Sequence, residues 1–431
     1  MSACSARCAR ARAGHRENGP LWDRDAARLL LGLVVLVTRS DDTSTSTVAA
    51  FTAAQDSATA GRELGAQIRA QLTGSPDAVV VYASSRFDYP VLLRALAGTC
   101  EPGVMVGSSS AGEFTACARG EGSACALAIR SSTMRFAAAI GKGVSTDRVA
   151  AARAIVDRFH GRAAPSFPHR TALIMTDALA GHADDLIEQL TIATSGTYAF
   201  AGGGAGDDAQ FAKTHVFLGT EVFSDAVVAL EILSQKPVGI GVQHGWIAAS
   251  ESFRVTSSNG ARISTLDGYP IAEVFERHAA ATDQHFDRAA ALPFFLHNVL
   301  GIQTSVGHRL RVPLGVNDDG SVTCAAEIPV GALVQIMTTS SASAREAGAA
   351  AARSAVRALG GEVPAATLFF DCVATRLRLG ESFEGELDAV HAALGGGHLV
   401  GCNTYGQIAR ADGQFGGFHN CTAVVLALPR S

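Results

Sequence analysis

A short apolar strand that runs directly into a glycine-rich turn occurs three times in this chain of 431 residues. The three segments are VMVGSSSAGEF at 104–114, AFAGGGAGDDA at 199–209 and LVGCNTYGQIA at 399–409. Each has another apolar run upstream, and a further one follows soon after the turn. This recurrence predicts an α/β fold with mixed sheets, built from internally duplicated β-α-β-β units. In such sheets, ligands bind at turns that follow the carboxyl ends of strands.

Composition and charge restrict the classes of function. The net charge is −5, and an excess of arginine in the first 28 residues leaves the remainder more acidic, which argues against nucleic acid as a partner. The nine cysteines include no C-x-x-C pair and lie mostly in apolar runs, which is typical of a reduced, cytoplasmic protein. No histidine or cysteine cluster has zinc-ligand spacing, so we expect no metal and no cofactor.

Changes in composition divide the chain into three parts. Residues 1–51 are interpreted as a low-complexity, disordered extension, with a signal peptide around LLLGLVVLV at 29–37 as the alternative. Because a bilayer span needs about 20 apolar residues, we expect no membrane insertion. Residues 52–255 and 256–431 are then predicted to form two domains. The second contains a hairpin at Asn317–Gly320 and a helix from Ser341 to Leu359.

Two apolar runs in the first domain, CALAIR from Cys125 and MRFAAAIG from Met134, are separated only by SST. Two strands with so short a connection are typical of an antiparallel hairpin. The sequence therefore predicts that these two strands pair with each other.

Six segments together resemble the FIST family of bacterial sensory proteins, which have an N-terminal and a C-terminal FIST domain. They are GSSSAGEF, FAGGGAGDD, FRVTSSNGARISTLDGYPIAEVFE, VNDDGSVTCAAEIPVGALVQIM, DCVATR, and NTYGQIA with GGFHNCTAVVLAL. The resemblance runs from about Thr52 to Leu428. It implies a module that senses a small molecule such as an amino acid, has no known catalysis, and signals through a separate protein.

The glycine turns are the predicted ligand site. Gly107 and Gly112 bracket Ser108, Ser109, Ser110 and Ala111, while Gly401 and Gly406 bracket a turn that contains Asn403, Thr404 and Tyr405. Positive φ at these glycines would direct backbone N–H groups toward one point, as in an anion-binding nest. The alternative is that the turns only close tight connections between strands.

Charged and polar neighbours extend the predicted site. Arg376 follows a buried strand and can hold a carboxylate in a bidentate pair. Glu113 and Gln407 occupy matching places after their turns and are candidates to receive an ammonium or hydroxyl group. The family usually has glutamate where this chain has Gln407, and an amide, unlike a carboxylate, both donates and accepts. His419 and Asn420, before the last strand, complete the set.

Two other classes of function remain open from the sequence. Ser108-x-Ser110-x-Gly112 is similar to the G-x-S-x-G elbow of serine hydrolases, with Ser110 as the nucleophile, although the first glycine is missing. A structural module that only binds other proteins is the second alternative. The GGGAGDD segment lacks the Lys-Ser/Thr of a phosphate-binding loop, so a nucleotide is not expected.

Overall fold

The computed structural model describes residues 44–411 and 416–430 and confirms a mixed α/β fold. The strands are β1 Thr45–Thr52, β2 Ala78–Ser84, β3 Val104–Ser110, β4 Glu113–Thr115, β5 Arg119–Gly120, β6 Ala124–Ser131, β7 Met134–Lys142, β8 His169–Thr176, β9 Ala199–Gly204, β10 Val216–Leu218, β11 Glu221–Phe223, β12 Ala226–Ser234, β13 Gly239–Gln243, β14 Ile247–Ala248, β15 Phe253–Asn259, β16 Arg262–Leu266, β17 Tyr269–Pro270, β18 Val299–Thr304, β19 Gly307–Arg311, β20 Pro313–Val316, β21 Val322–Cys324, β22 Leu333–Thr338, β23 Ala366–Cys372, β24 His398–Thr404, β25 Gln407–Arg410, β26 Gly417–His419 and β27 Ala423–Leu428. The helices are α1 Ser57–Gln71, α2 Tyr89–Cys100, α3 Arg148–Val156, α4 Ala183–Ala193, α5 Ile271–Ala281, α6 Leu292–Phe295, α7 Ser341–Ala358, α8 Val373–Leu379 and α9 Phe383–Leu394.

Several helices begin where a short polar side chain caps the first turn. Asp56, Asp88, Asp147 and Ser340 each accept a hydrogen bond from the backbone N–H three residues later, at 2.7 to 3.0 Å. These bonds satisfy donors that the first turn leaves without a partner, and each contributes about 1 kcal/mol. The starts of α1, α2, α3 and α7 are therefore fixed locally.

Three of the four sheets share one strand order. They run β1-β6-β2-β3-β10-β11, β7-β12-β8-β9-β25-β26 and β13-β27-β23-β24-β4-β5. In each, the third and fourth strands are parallel and the remaining neighbours are antiparallel. We call the first four strands of each sheet, with their helices, the first, second and third unit.

The last two strands of each of these sheets come from a different unit. After β3 the chain passes to the third unit's sheet as β4 and β5, and after β9 it passes to the first unit's sheet as β10 and β11. After β24 it passes to the second unit's sheet as β25 and β26. We call these three strand pairs the arms. Because each arm completes a neighbour's sheet, the exchange closes on itself and joins all three units.

One core lies among the three sheets, and the helices cover the outer faces. In β2, for example, Val80 and Tyr82 pack into the common core with Leu173 and Leu368 from the other two units. Val79 on the opposite face packs against α1 and α2. Both faces are thus buried, which explains why these strands are continuously apolar in the sequence.

The fourth sheet is an insertion between β13 and α7, and it includes the predicted hairpin. Its order is β19-β18-β22-β15-β16-β21-β20. In addition, β14 pairs with β22, and β17 pairs with β16. Strands β20 and β21 pair around residues 317–320, as the turn residues predicted. The sequence predicts a domain boundary near residue 255. Strand β13 precedes that position and β27 follows it, yet the two strands pair in the third sheet.

Two expectations are corrected. Strands β6 and β7, predicted to pair with each other, lie in different sheets, and β7 pairs with β12 instead. The short SST connection carries the chain from one unit to the next. Residues 45–51, placed in the amino-terminal extension, belong to β1, where Val48 and Ala50 face the core. The remainder of that extension, 1–43, including the apolar run at 29–37, lies outside the described residues.

Candidate functional site

The three glycine turns meet at one place, where each arm leaves its own unit. Residues 107–112, 202–208 and 401–406 form what we call the turn ring, in which every turn bonds to the other two through its backbone. The bonds are Ala111 N–H to Asn403 O (3.0 Å), Asn403 N–H to Gly112 O (2.8 Å), Gly204 N–H to Gly406 O (2.9 Å), Tyr405 N–H to Gly204 O (3.0 Å), Gly206 N–H to Ser109 O (3.0 Å) and Asp208 N–H to Ser110 O (3.1 Å).

This arrangement corrects the predicted anion-binding nest. The N–H groups of Ala111, Asn403 and Tyr405 donate to carbonyl groups of the neighbouring turns, so they do not converge on an open point. The physical reason is that a buried backbone donor must be paired, and the exchange of arms brings carbonyl groups within reach. The turn ring is thus first of all a junction between units.

The glycines of the turns serve two separate purposes. Gly112 and Gly406 have φ of +131° and +95°, as predicted, but Gly107 and Gly401 do not have positive φ. They lie inside β3 and β24, where a Cβ would meet a carbonyl oxygen of the neighbouring parallel strand at 2.0 and 2.2 Å. Gly202 holds the equivalent place in the second unit, with a distance of 1.9 Å. Close approach of strands, rather than backbone conformation, therefore requires glycine at 107 and 401.

Glu113 and Gln407 have matching hydrogen bonds inside the ring. Glu113 accepts from the Ser110 hydroxyl at 2.5 Å and from the backbone and hydroxyl of Ser123 at 3.2 and 2.7 Å. Gln407 donates to the Thr404 hydroxyl at 2.9 Å and accepts from Thr422 N–H at 3.2 Å. All of these side chains are buried. Both groups therefore bind to the protein's own turns, away from solvent.

Replacing Glu113 with glutamine is expected to flatten the dependence of stability on pH. Burial raises the pKa of Glu113 from 4.5 to about 7, against the opposing hydrogen bonds of Ser110 and Ser123. Because the folded pKa lies above the unfolded one, this group's stabilisation is complete below about pH 4.5 and is lost as the pH rises through 7. Between pH 5 and pH 8 the loss is about 2–3 kcal/mol for one such shift. Glu113→Gln has no carboxyl group that ionises at this position, so its free energy of unfolding should not show this loss.

Urea unfolding of both proteins at pH 5, 6.5 and 8 measures this effect. Gln407 shows that the fold accepts an amide at the matching position, so Glu113→Gln should fold normally. Burial also raises the pKa of Asp371 and raises that of Glu386 to about 8, so some pH dependence remains in the variant. Parallel profiles for the two proteins would contradict the prediction.

Two polar nitrogen atoms beside Gly112 are buried without a hydrogen-bond partner among the described residues: Arg376 Nε and Asn403 Nδ2. A Cβ at Gly112 would lie 2.8 Å from Asn403 Oδ1 and 3.5 Å from Arg376 Nε, so both side chains border the face of this glycine. Arg376 lies in α8 and is mostly buried, and its Nη1 pairs with the exposed Glu121. Burial lowers the pKa of Arg376, which nonetheless remains a cation at neutral pH.

An apolar cleft of about 80 Å³ opens beside the third turn. Tyr405 and Asn420 contribute polar groups to its wall, and Cys372 lines it from the end of β23. The Tyr405 ring stacks on Phe211 with centroids 4.4 Å apart, and its hydroxyl donates to Asp207. Exposed side chains on the cleft are Leu179, Phe211 and Leu377.

The other predicted site residues are enclosed in the ring. Ser109 exchanges hydrogen bonds with the backbone of His215, at 2.9 and 3.3 Å. Thr404 donates to Asp371 O at 3.2 Å. Ser108 and His419 are each 2% exposed. Of the predicted set, Arg376, Asn403 and Gly112 come together at one place, and Tyr405, Gly406 and Asn420 come together at the cleft.

The serine hydrolase alternative gains no support from this geometry. Ser110 is fully buried, and its hydroxyl donates to the carboxylate of Glu113 rather than to an imidazole. A serine nucleophile needs a positioned base and an accessible hydroxyl. Within residues 44–411 and 416–430, there is also no group of three or more histidine, cysteine or acidic residues placed to hold a metal ion.

Sequence reasoning missed some of these contacts. The GGGAGDD segment was considered as a phosphate-binding loop, and the bond between its Asp207 and Tyr405 was not foreseen. Glu121 and Asp371 lie in no sequence motif that would have indicated their contacts. Cys372 and Cys421 were counted only as small core residues, and their proximity has no signal in the sequence because 48 intervening residues separate them.

Three α/β units exchange arms around a buried turn ring, so each of their sheets contains strands from two units. Two family profiles match the chain: the FIST N domain over residues 77–269 and the FIST C domain over 272–410. The chain belongs to the FIST family, which confirms the resemblance seen in the sequence. FIST domains are generally sensory modules of signal transduction. No significant match was found among curated proteins. In the described part of the chain, no helix combines the length and apolar character needed to cross a membrane.

Proposed function

We propose that this protein is a cytoplasmic receptor module that binds a small carboxylate-containing metabolite, an amino acid in particular, beside Gly112. Arg376 Nε and Asn403 Nδ2 are the proposed donors to the carboxylate. The bound state is then read by a separate signalling protein. The pair of buried donors without partners is the observation that carries the proposal.

Unpaired buried donors are costly, which is why they point to a ligand. Leaving one such group unsatisfied costs about 1–3 kcal/mol, and native proteins contain few. A carboxylate offers two acceptor oxygens and can accept from a guanidinium and an amide at the same time. Gly112 is buried, and a Cβ there would come within 2.8 Å of Asn403 Oδ1, so glycine lets the backbone lie close to both groups. The donor chemistry of this pair therefore suits a carboxylate.

The local charge favours a zwitterion over a simple anion. Arg376 already pairs with Glu121, whose side chain is 75% exposed, so the pair is neutral before a ligand binds. A second carboxylate would leave the site with a net negative charge, which is unfavourable in a partly buried position. An amino acid brings its own ammonium group, which Glu121 can accept at the surface. We therefore expect amino acids to bind more tightly than acids that lack the amino group.

The position of the site suggests how binding is transmitted. Gly112 precedes the arm β4 of the first unit, whereas Arg376 and Asn403 belong to the third unit. A ligand bound by all three would stabilise the arrangement in which this arm is docked. Such a ligand shifts the equilibrium between two arrangements only by its difference in affinity for them.

Arg376→Met is expected to weaken ligand binding by about 10- to 100-fold, because a hydrogen bond to a charged group contributes about 1.5–3 kcal/mol. Thermal-shift and calorimetric titrations of the full chain with amino acids, and with the matching acids that lack the amino group, measure this. At 100 times the dissociation constant a ligand should add about 2.7 kcal/mol of stability.

Arg353→Met is the matched control, since Arg353 pairs with Glu346 on the exposed surface of α7. This variant should bind as the wild type does. Absence of stabilisation by every compound in a folded wild-type sample would argue against the proposed function, as would equal binding by Arg376→Met. A protein that binds no compound yet retains a stable companion would instead support the interaction-module alternative.

A further inference from the structure

Two buried cysteines meet beside the apolar cleft. Cys372 ends β23 and Cys421 lies two residues before β27. These two strands are antiparallel neighbours with Phe370 opposite Val424. Continuing that register places Cys372 near residue 422. Both cysteines belong to one apolar cluster that also includes Trp246, and the Cys421 thiol is the group that most lowers the pKa of Cys372. They are 3% and 5% exposed.

The surroundings of the Cys372 sulfur favour its thiolate form. Its pKa is lowered to about 6, first by the Cys421 thiol and then, against the effect of burial, by the backbone of Cys421 and Ala374 and the amide of Gln407. Burial raises the pKa of the neighbouring Asp371, which favours the neutral carboxyl and so weakens its repulsion of a thiolate. Arg378 also lies near enough to Cys421 and Asp371 to interact with their charges. Thiolates, rather than thiols, react as nucleophiles.

The cleft gives Cys372 contact with a small reagent. Its volume of about 80 Å³ exceeds the roughly 30 Å³ that one water molecule occupies in the liquid. Hydrogen peroxide is little larger than water, whereas bulky oxidants would not fit. Cys324 offers a useful contrast, because it is buried and burial raises its pKa to about 12.

We propose that Cys372 and Cys421 are a redox-active pair, in which a small hydroperoxide oxidises Cys372 and Cys421 then closes a disulfide. In the first step the Cys372 thiolate attacks one peroxide oxygen, the O–O bond breaks, and the released alkoxide or hydroxide takes a proton. Cys372 becomes a sulfenic acid and the peroxide is reduced by two electrons. In the second step the Cys421 sulfur attacks the Cys372 sulfur, the S–O bond breaks, and water leaves.

Closure would covalently join the start of α8 to the segment between β26 and β27. A disulfide joins Cα atoms about 4.4–6.8 Å apart. The register of β23 and β27 places Cys421 next to the residue opposite Cys372. Arg376 lies one turn further along α8. The modification site is independent of ligand binding, because none of its chemistry uses Arg376 or Asn403.

Peptide mass spectrometry of the reduced full chain, treated with hydrogen peroxide and then alkylated without reductant, tests the proposal. We expect a linked Cys372–Cys421 peptide pair at a dose that leaves Cys324 unmodified. In Cys421→Ser, which lacks the second thiol, dimedone added as the oxidised chain is unfolded in urea should trap a sulfenic acid at Cys372. In Cys372→Ser, Cys421 should remain reduced at the same dose. Circular dichroism confirms that each variant is folded.

The wild-type measurement alone can overturn the proposal, so it does not depend on the variants. Failure to link Cys372 with Cys421 at a peroxide dose that oxidises half of the exposed Cys117 would do so. Oxidation of Cys324 to the same extent as Cys372 would also overturn it, because reactivity would then be independent of the surroundings of Cys372.

Discussion

Replacing Gly401 with alanine is expected to destabilise the protein by about 3 kcal/mol or more, because the new methyl group has no space. A Cβ there would lie 2.2 Å from the carbonyl oxygen of Phe369 and 2.3 Å from the ring of Phe114. The first contact is with backbone in the parallel strand β23, which cannot move without breaking the pairing of Phe369 with Gly401. Urea unfolding monitored by circular dichroism measures the loss.

Gly98→Ala is the matched control for this change. Gly98 lies in α2 and is exposed, and a Cβ there would meet nothing within 4 Å. Alanine is better than glycine in a helix by about 1 kcal/mol, so this variant should be slightly more stable than the wild type. Equal unfolding midpoints for the two variants would show that the close approach at Gly401 is not what requires glycine.

Replacing Asp184 with alanine is expected to cost about 3–5 kcal/mol, because it leaves the buried Arg311 without its carboxylate. The Arg311 side chain is only 1% exposed and pairs with Asp184. Its other bonds are to the carbonyl groups of Glu327, Leu310 and Phe418, at 3.0 to 3.1 Å. These contacts connect α4 to the fourth sheet and to the arm strand β26. Their loss should therefore loosen the insertion from the three units.

The exposed pair of Glu346 and Arg353 provides the comparison. Their side chains are 70% and 45% exposed, and such surface pairs contribute about 0–1 kcal/mol. Glu346→Ala should therefore change the urea midpoint little, whereas Asp184→Ala should lower it strongly. Asp184→Asn separates charge from packing, since it keeps the shape of the side chain. A cost for Asp184→Ala no larger than that of Glu346→Ala would contradict this account of Arg311.

Local signals in the sequence predicted many elements. Asn317 to Gly320 form the turn of a hairpin as predicted, and Asp147, of a residue type that favours helix starts, accepts a bond from Ala150 N–H at the start of α3. The equivalent positions of Glu113 and Gln407 were visible from their spacing after the turns, and they have matching hydrogen bonds. Each of these features depends on residues close in the chain, where propensity and turn chemistry act directly.

The partners of these elements were harder to predict. Strand β7 follows β6 after a short connection but pairs with β12 of the second unit, where Ala139 packs in the cluster that includes Ile155 of α3. The nest expected at Gly107 and Gly401 fails for a similar reason. Segments from other parts of the chain supply the carbonyl groups that the N–H groups of these turns bind. The sequence near each turn does not indicate which segments these are.

By itself, the sequence determined that apolar strands end in three glycine turns, and it determined the family to which the chain belongs. Only the tertiary structure decided that the arms pass from unit to unit, that the turns bond to one another, and that Arg376 and Asn403 border Gly112. The physical reason is that strand pairing and burial satisfy hydrogen bonds between segments far apart in the chain. A residue's neighbours there depend on the closed arrangement of all three units.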